Sequence, residues 1–200
     1  MAELVLRDEQ IKFYKDFGYL HAKKVFTPEE CQKIIDVEGN FIDSTTQLYD
    51  KFSHYLNYKP IERFTNKNAR KSKSKELDFT DNNAWIFERF TEFTNKANEE
   101  YFHLNIQNYI GTQIIKYEKD DFFNIHVDIG AGEIANRKLS LIVFLSERKD
   151  YEGGQLKWFP EIQLVKQLQG TMVIFPSYFP HLVEPVIKGT RYVLVSWGCD

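Results

Sequence analysis

The second half of the chain is a succession of short runs that constrains the fold more than any other feature. Gln113–Tyr117, Lys138–Leu145, Gln155–Phe159, Thr171–Phe175 and Tyr192–Trp197 are each rich in β-branched or aromatic residues. Gly153-Gly154, Gly170, Pro176-Ser177 and Gly189 separate them, so the runs read as strands joined by turns. Strands of this length and spacing build a sandwich or a jelly roll rather than a parallel βαβ sheet. Aromatic residues make up 16% of the chain, a share that suits sheets better than helical bundles.

Before Asn105 the pattern is mostly helical. Ile11, Tyr14 and Phe17 fall on one helical face that Gly18 terminates, and a strand through Tyr19–Phe26 follows. Thr27-Pro28-Glu29-Glu30 is a helix start, with Thr27 as N-cap, Pro28 in the first turn and Glu30 placed to close a capping box. That helix runs toward Phe41 and takes Cys31 into the core as a small apolar residue. Trp85, Ile86, Phe90, Phe93, Ala97 and Tyr101 mark a long amphipathic helix over Asn83–Phe102. The expectation is a mainly β protein, a double-stranded β-helix (jelly roll) with N-terminal helices packed on one face in an α+β arrangement. Two hundred residues, 42% of them hydrophobic, supply one core. The expected organisation is a single domain over 1–200, with helical support and a variable loop in 1–105 and the jelly-roll core in 106–200.

Asp43–Thr80 has the least pattern. Between positions 59 and 76 it sets Lys59, Arg63, Lys67, Arg70, Lys71, Lys73 and Lys75 against Glu62 and Glu76. A solvated loop is the simple reading of this basic stretch, and a lid over an active site the functional one. The net charge of −3 gives no global attraction to nucleic acid or anionic membrane. No apolar run is long enough to span a bilayer, and the start of the chain has no signal-peptide pattern. With two cysteines, Cys31 and Cys199, the expectation is a cytoplasmic protein with reduced thiols and no membrane partner.

His126 and Asp128 lie two apart, His181 arrives from a later strand, and Arg191 follows it by ten residues. Two imidazoles and one carboxylate on one face of a metal, with the remaining positions open, are the ligand set of non-haem Fe(II) oxygenases. Residues two apart on a strand share a side, so His126 and Asp128 can both project into a barrel mouth, and Asn124 would join them. The arginine's fork suits a carboxylate better than a lysine's point charge does. A lone histidine is usually structural or on the surface, and His21, His54 and His103 are read that way. Gly153-Gly154 is a turn requiring positive φ, and no cluster of cysteines suggests zinc.

These residues resemble the Fe(II)/2-oxoglutarate-dependent dioxygenase superfamily, and prolyl 4-hydroxylases in particular. His126-X-Asp128, His181 and Arg191 are similar to that pattern, with Tyr117 nine residues before His126. Tyr151-Glu152-Gly153-Gly154, Gly170–Pro176 and Gly189-Thr190-Arg191-Tyr192 with Trp197 extend the likeness over Gln113–Trp197. One departure stands out: where many prolyl hydroxylases carry a second tyrosine reaching the cosubstrate, this chain has Phe144. The resemblance implies Fe(II) on His126, Asp128 and His181, and 2-oxoglutarate held by Arg191 and Tyr117. It also implies dioxygen as oxidant, ascorbate as a helper, and succinate and carbon dioxide as coproducts. Arg70, Asn124 and Trp197 are the candidate substrate contacts.

The implied reaction is hydroxylation of prolyl residues in a peptide or protein. A free amino acid or other small molecule is the alternative substrate. A non-catalytic module binding metal and a 2-oxo acid is a further alternative, against which the intact four-residue set argues. A nucleic-acid partner is disfavoured, because Trp197 stands where the AlkB-type demethylases carry a second arginine.

Overall fold

The computed structural model describes residues 18–45, 66–159 and 167–200. The expected helix over Asp8–Phe17, His54, and positions 59–65 of the basic stretch lie outside them. Among the described residues the main body is a seven-stranded antiparallel sheet. Its strands are β1 (Leu20–Ala22), β2 (Ile42–Asp43), β4 (Lys73–Glu76), β5 (Asn108–Tyr117), β7 (Arg137–Phe144), β10 (Met172–Pro176) and β13 (Arg191–Cys199). They lie side by side in the order β1-β10-β7-β13-β5-β4-β2. A four-stranded sheet faces it, ordered β3 (Arg70–Lys71), β6 (Phe122–His126), β11 (His181–Val183), β9 (Leu156–Trp158). A two-stranded ribbon of β12 (Val186–Gly189) and β8 (Tyr151–Gly153) completes the jelly roll.

Period-two alternation divides the large sheet's side chains between two cores. Leu139, Leu141 and Val143 of β7, Met172 and Ile174 of β10 and Leu194 of β13 pack toward the helices. Ile142 and Phe144, Val173 and Phe175, and Val193, Val195 and Trp197 point the other way, toward the small sheet. Helix α1 (Pro28–Ile35) has the expected capping box: Thr27 Oγ1 accepts from the Glu30 amide at 3.2 Å, and Glu30 Oε2 accepts from the Thr27 amide at 2.8 Å. Helix α2 (Ala84–Ala97) buries Ile86, Phe90, Phe93 and Ala97 and continues as a π turn through Phe102. Both helices cover one face of the large sheet, as expected.

Three expectations need correction. Helix α1 stops at Ile35 rather than near Phe41, because the Lys75 ammonium takes up carbonyls that a further turn would use: it donates to those of Ile35 and Val37 and lies over the Phe41 ring. Positions 70–76 are not a solvated loop but strands β3 and β4, with Arg70 and Lys75 buried. Charged side chains hid those strands, since their alkyl stems are buried while the heads find carbonyls and rings. The segment 1–105 is therefore not helical support and loop alone: beside β1, which lies within the expected Tyr19–Phe26 strand, it supplies β2, β3 and β4, with β1 and β2 at the two edges of the large sheet.

His21 is structural, as expected, sitting buried on β1. Burial, with help from the Lys23 charge, pushes its pKa down to about 4. Below the ordinary value of 6.5 the unfolded chain binds a proton that the folded chain refuses, so stability falls as pH drops from about 6.5 toward 4 and levels off below. The expected loss is about 3 kcal/mol at about 1.4 kcal/mol per pH unit. Urea midpoints across pH 4–7 should carry this slope within the total pH dependence, and His21→Leu should reduce the total by about 1.4 kcal/mol per pH unit. A slope unchanged in that variant would place the titrating group elsewhere.

Candidate metal centre and cosubstrate pocket

His126 and His181 are brought together by strand pairing, since the two residues are direct partners in the antiparallel β6–β11 register. Each ring has one nitrogen tied to a backbone carbonyl: His126 Nδ1 to Asn124 at 2.7 Å, and His181 Nδ1 to Phe179 at 2.9 Å. A carbonyl only accepts, so each Nδ1 donates its proton there and Nε2 is the ring nitrogen that faces the cavity. Asp128 lies between them, with Oδ1 3.6 Å from His126 Nε2 and Oδ2 3.7 Å from His181 Nε2. The three candidate ligand atoms lie within 4.8 Å of one another. Burial pushes the His126 pKa down to about 3, with the neighbouring His181 adding to the shift, so the ring is neutral at pH 7 as a metal ligand must be. Burial alone would raise the Asp128 carboxyl, but His181, then His126, and contacts from Ser140 and Trp197 outweigh it and hold the group ionised.

Asp128 does not reach this position by strand alternation. Strand β6 ends at His126, and Asp128 is held beyond it by its amide donating to Ser177 O at 2.9 Å and by Ser140 Oγ donating to Oδ2 at 2.7 Å. Strand β6 is also irregular. His181 faces His126 but Val183 faces Phe123, so the register slips between them. The slip places Phe123 and His126 on one side, their rings stacked at 3.4 Å. It also turns Asn124 out of the expected face: this side chain is exposed and donates to Asn68 O at 2.8 Å.

The cavity at these three residues has a volume of about 50 Å³, and Tyr117, Arg191, Arg70 and Trp197 line it with them. Arg191 opens β13 opposite Tyr117 of β5, and its guanidinium lies 5.2 Å from the Tyr117 ring and 5.8 Å from the Phe144 ring. It is only 1% exposed, and its Nε and Nη1 have no hydrogen-bond partner among the described residues. A buried cation left without an anion is costly, so a carboxylate entering this cavity would relieve that cost. Arg70 is also buried, over the Phe123 ring at 4.6 Å, with Nε donating to Ser72 Oγ at 2.8 Å and Nη2 without a partner among the described residues. Burial lowers its pKa, while Tyr117 and Asp128 beside it pull the other way.

Gly153 and Gly154 have φ of 75° and 61°, as the turn reading requires. At Gly154 a Cβ would stand 2.8 Å from Val186 Cγ2 and 3.1 Å from the Arg191 Cδ. Gly154→Ala is therefore expected to cost about 1–2 kcal/mol from the left-handed backbone alone, and to displace the Arg191 stem. Thermal unfolding together with 2-oxoglutarate titration checks both effects. Lost stability with an unchanged titration would confine the glycine's role to the turn.

Sequence reasoning missed Ser140, Ser177, Arg137 and Phe123. Arg137 Nη1 donates to Asp128 O at 3.2 Å, and its guanidinium lies 3.6 Å over the Trp197 ring. Serines inside an apolar run were the available signal, since Ser140 interrupts Leu139 and Leu141 on the strand.

Residues 112–198 match the family model described as the 2OG-Fe(II) oxygenase superfamily. A PKHD-type hydroxylase of Prochlorococcus marinus is 36% identical over 89 residues, covering 44% of this chain and 40% of the relative. One from Crocosphaera subtropica is 28% identical over 180 residues, covering 86% of this chain and 74% of the relative. The match thus spans about two fifths of the first of these relatives. Among solved structures, a Pseudomonas putida prolyl-4-hydroxylase superposes with a TM-score of 0.67 at 16% identity, covering 96% of this chain and 97% of the other. A Trichoplax adhaerens prolyl hydroxylase, in complex with a hypoxia inducible factor oxygen degradation domain peptide fragment, superposes with a TM-score of 0.69 at 14% identity over 96% and 87%. At such identities the superpositions speak for the jelly-roll fold, and the family match speaks for the segment that holds the cavity. The stretch from Thr112 to Gly198, with the two histidines, the aspartate and the buried arginine inside it, is the part of the chain that is similar to the 2OG-Fe(II) oxygenase superfamily.

Proposed function

We propose that this protein is an Fe(II)- and 2-oxoglutarate-dependent hydroxylase of prolyl residues in a peptide or protein, with succinate and carbon dioxide as coproducts. The observation that carries the reading is Arg191, a buried guanidinium whose Nε and Nη1 lack hydrogen-bond partners among the described residues, in the same cavity as two imidazoles and a carboxylate. Taken alone, the triad would suit a structural ion and the arginine a core cation. Together they fit a metal and a small dianion bound side by side.

The donor set of two nitrogens and one oxygen, confined to one side, fits Fe(II) with open positions. Iron held there would supply the activation of dioxygen and the oxidative decarboxylation of the 2-oxo acid. The chain's part is the rest. His126 and His181 present Nε2 because their Nδ1 protons are engaged elsewhere. Arg191 offers two free N–H donors to the far carboxylate of the cosubstrate, and Tyr117 borders the same space. Ile115, Val183, Val193 and Val195 form apolar walls that limit water. Phe144 provides a ring but no hydroxyl, so the anchor rests on Arg191 and Tyr117. Arg70 and Trp197 border the cavity and are the substrate contacts of this reading. A peptide substrate draws support from the peptide bound by the Trichoplax relative.

Among the described residues no helix is long and apolar enough to cross a membrane. The test has two stages. Fe(II) and 2-oxoglutarate added under anaerobic conditions should give a metal-to-ligand visible absorption band. Mass spectrometry of a panel of proline-containing peptides and free amino acids should then find oxygen addition, dependent on 2-oxoglutarate, on a peptide proline. No band would remove the cosubstrate reading, whereas a band with oxygen added only to a free amino acid would remove the peptide reading.

A further inference from the structure

We propose that Ser140 and Ser177 are positioning residues that make Asp128 a one-oxygen ligand, an inference that rests on the metal-centre reading above. Ser140 Oγ is 2.7 Å from Asp128 Oδ2 and 3.0 Å from Ser177 Oγ. An ionised carboxylate only accepts, so the single Ser140 proton must point at Asp128. Ser140 then has only lone pairs to offer Ser177, and the Ser177 hydroxyl must donate to it. The result is a directed chain, Ser177 O–H to Ser140 O–H to Asp128 Oδ2, in which each bond polarises the next. Both serines are buried, at 0% and 1% exposure for Ser177 and Ser140, so no solvent competes for these protons.

The backbone makes the chain rigid. The Asp128 amide donates to Ser177 O at 2.9 Å, and the Ser177 amide donates to Lys138 O at 2.9 Å. Ser140 pairs with Phe175 of β10 on one side and with Trp197 of β13 on the other. Asp128, which lies past the end of its own strand, thereby takes its position from β7 and the end of β10. Oδ2, which also lies 3.7 Å from His181 Nε2, is engaged by Ser140, and Oδ1, beside His126 Nε2, is the oxygen this proposal gives to the metal. Chelation by both oxygens would use a coordination position that the cosubstrate and dioxygen need.

The experiment titrates Co(II) into the parent chain, Ser140→Ala, Ser177→Ala and the double variant, following the visible ligand-field band, with circular dichroism as the check of fold. Ser140→Ala should weaken Co(II) binding by about 10–100-fold, the usual effect of losing a partner behind a metal ligand. Its band should also weaken and shift, as the released Oδ2 raises the coordination number. Ser177→Ala should cost roughly threefold with the parent's spectrum, because it only polarises its neighbour. The double variant should match Ser140→Ala. Parent-like affinity and spectrum in Ser140→Ala would overturn the proposal, as would losses that multiply independently in the double variant. If Ser140→Ala does not fold, a Ser177→Ala affinity equal to the parent's overturns the chain and a weakened one upholds it. A parent chain that gives no band overturns the metal centre itself, an outcome distinct from a parent with a band and variants that match it.

Discussion

Arg191→Met is expected to raise the stability of the chain alone while abolishing its response to 2-oxoglutarate. The guanidinium is 1% exposed, two of its nitrogens lack partners among the described residues, and its nearest rings are Tyr117 and Phe144. Methionine has a similar stem and would rest on those rings without a charge to desolvate. Replacing a buried charge by a packed apolar side chain commonly stabilises by about 1–4 kcal/mol. At about 2–4 °C per kcal/mol for a chain of this size, the melting temperature should rise by roughly 2–16 °C. In the parent, saturating 2-oxoglutarate with metal should raise the melting temperature by mass action; in the variant it should not. Arg191→Lys keeps the charge but loses the fork, so it should retain some response at a raised 2-oxoglutarate requirement, roughly tenfold. Thermal scans with and without the diacid decide the matter. A melting temperature that falls in Arg191→Met would mean that the arginine is a structural residue with its charge satisfied, and the case for the cosubstrate pocket would go with it.

Whether a feature is legible in the sequence depends on whether local pattern or tertiary contact sets it. Strands β5, β7, β9, β10 and β13 of the second half are legible because their alternation is the core pattern itself: Leu139, Leu141 and Val143 against Ile142 and Phe144 already names the two faces of β7. The capping box at Thr27 is equally local. Strands β3 and β4 are not legible, because Arg70 and Lys75 are buried by partners remote in sequence, the Phe123 ring and the carbonyls of Ile35 and Val37. At the site, residue types and spacing point to His126, Asp128, His181 and Arg191, which the fold brings to one cavity. Period two puts Asn124 on the cavity wall, and the irregularity in β6 sends it to Asn68 instead. A register slip leaves no mark in a run such as Phe122–His126. Ser140 and Ser177 escape sequence reasoning on similar grounds, since nothing in sequence says that two serines from different parts of the roll will meet over a carboxylate.

His126→Ala is the sharper of the two histidine tests, and the reason lies in packing. His181 is 3% exposed with the Phe175 ring at 5.0 Å and the Trp158 ring at 5.7 Å, so its removal leaves a hole in the inner core and a stability loss of about 2–3 kcal/mol. His126 sits at the mouth, with its side chain 16% exposed and the Phe123 ring stacked on it at 3.4 Å. Removing it should change stability by about 1 kcal/mol or less. The functional loss should be far larger. Losing a group that merely supports a metal ligand costs about 10–100-fold in affinity or activity, so losing the ligand should exceed about 100-fold in metal affinity. Hydroxylated product should then be undetectable at metal concentrations that saturate the parent. Co(II) titration and a chemical unfolding curve on the same sample separate the two effects. A folded variant that still binds metal like the parent would remove His126 from the ligand set, and a grossly unfolded one would contradict its placement at the mouth of the roll. The expected combination, a stable jelly roll with no metal, is available only if the chain folds around the site without needing the ion.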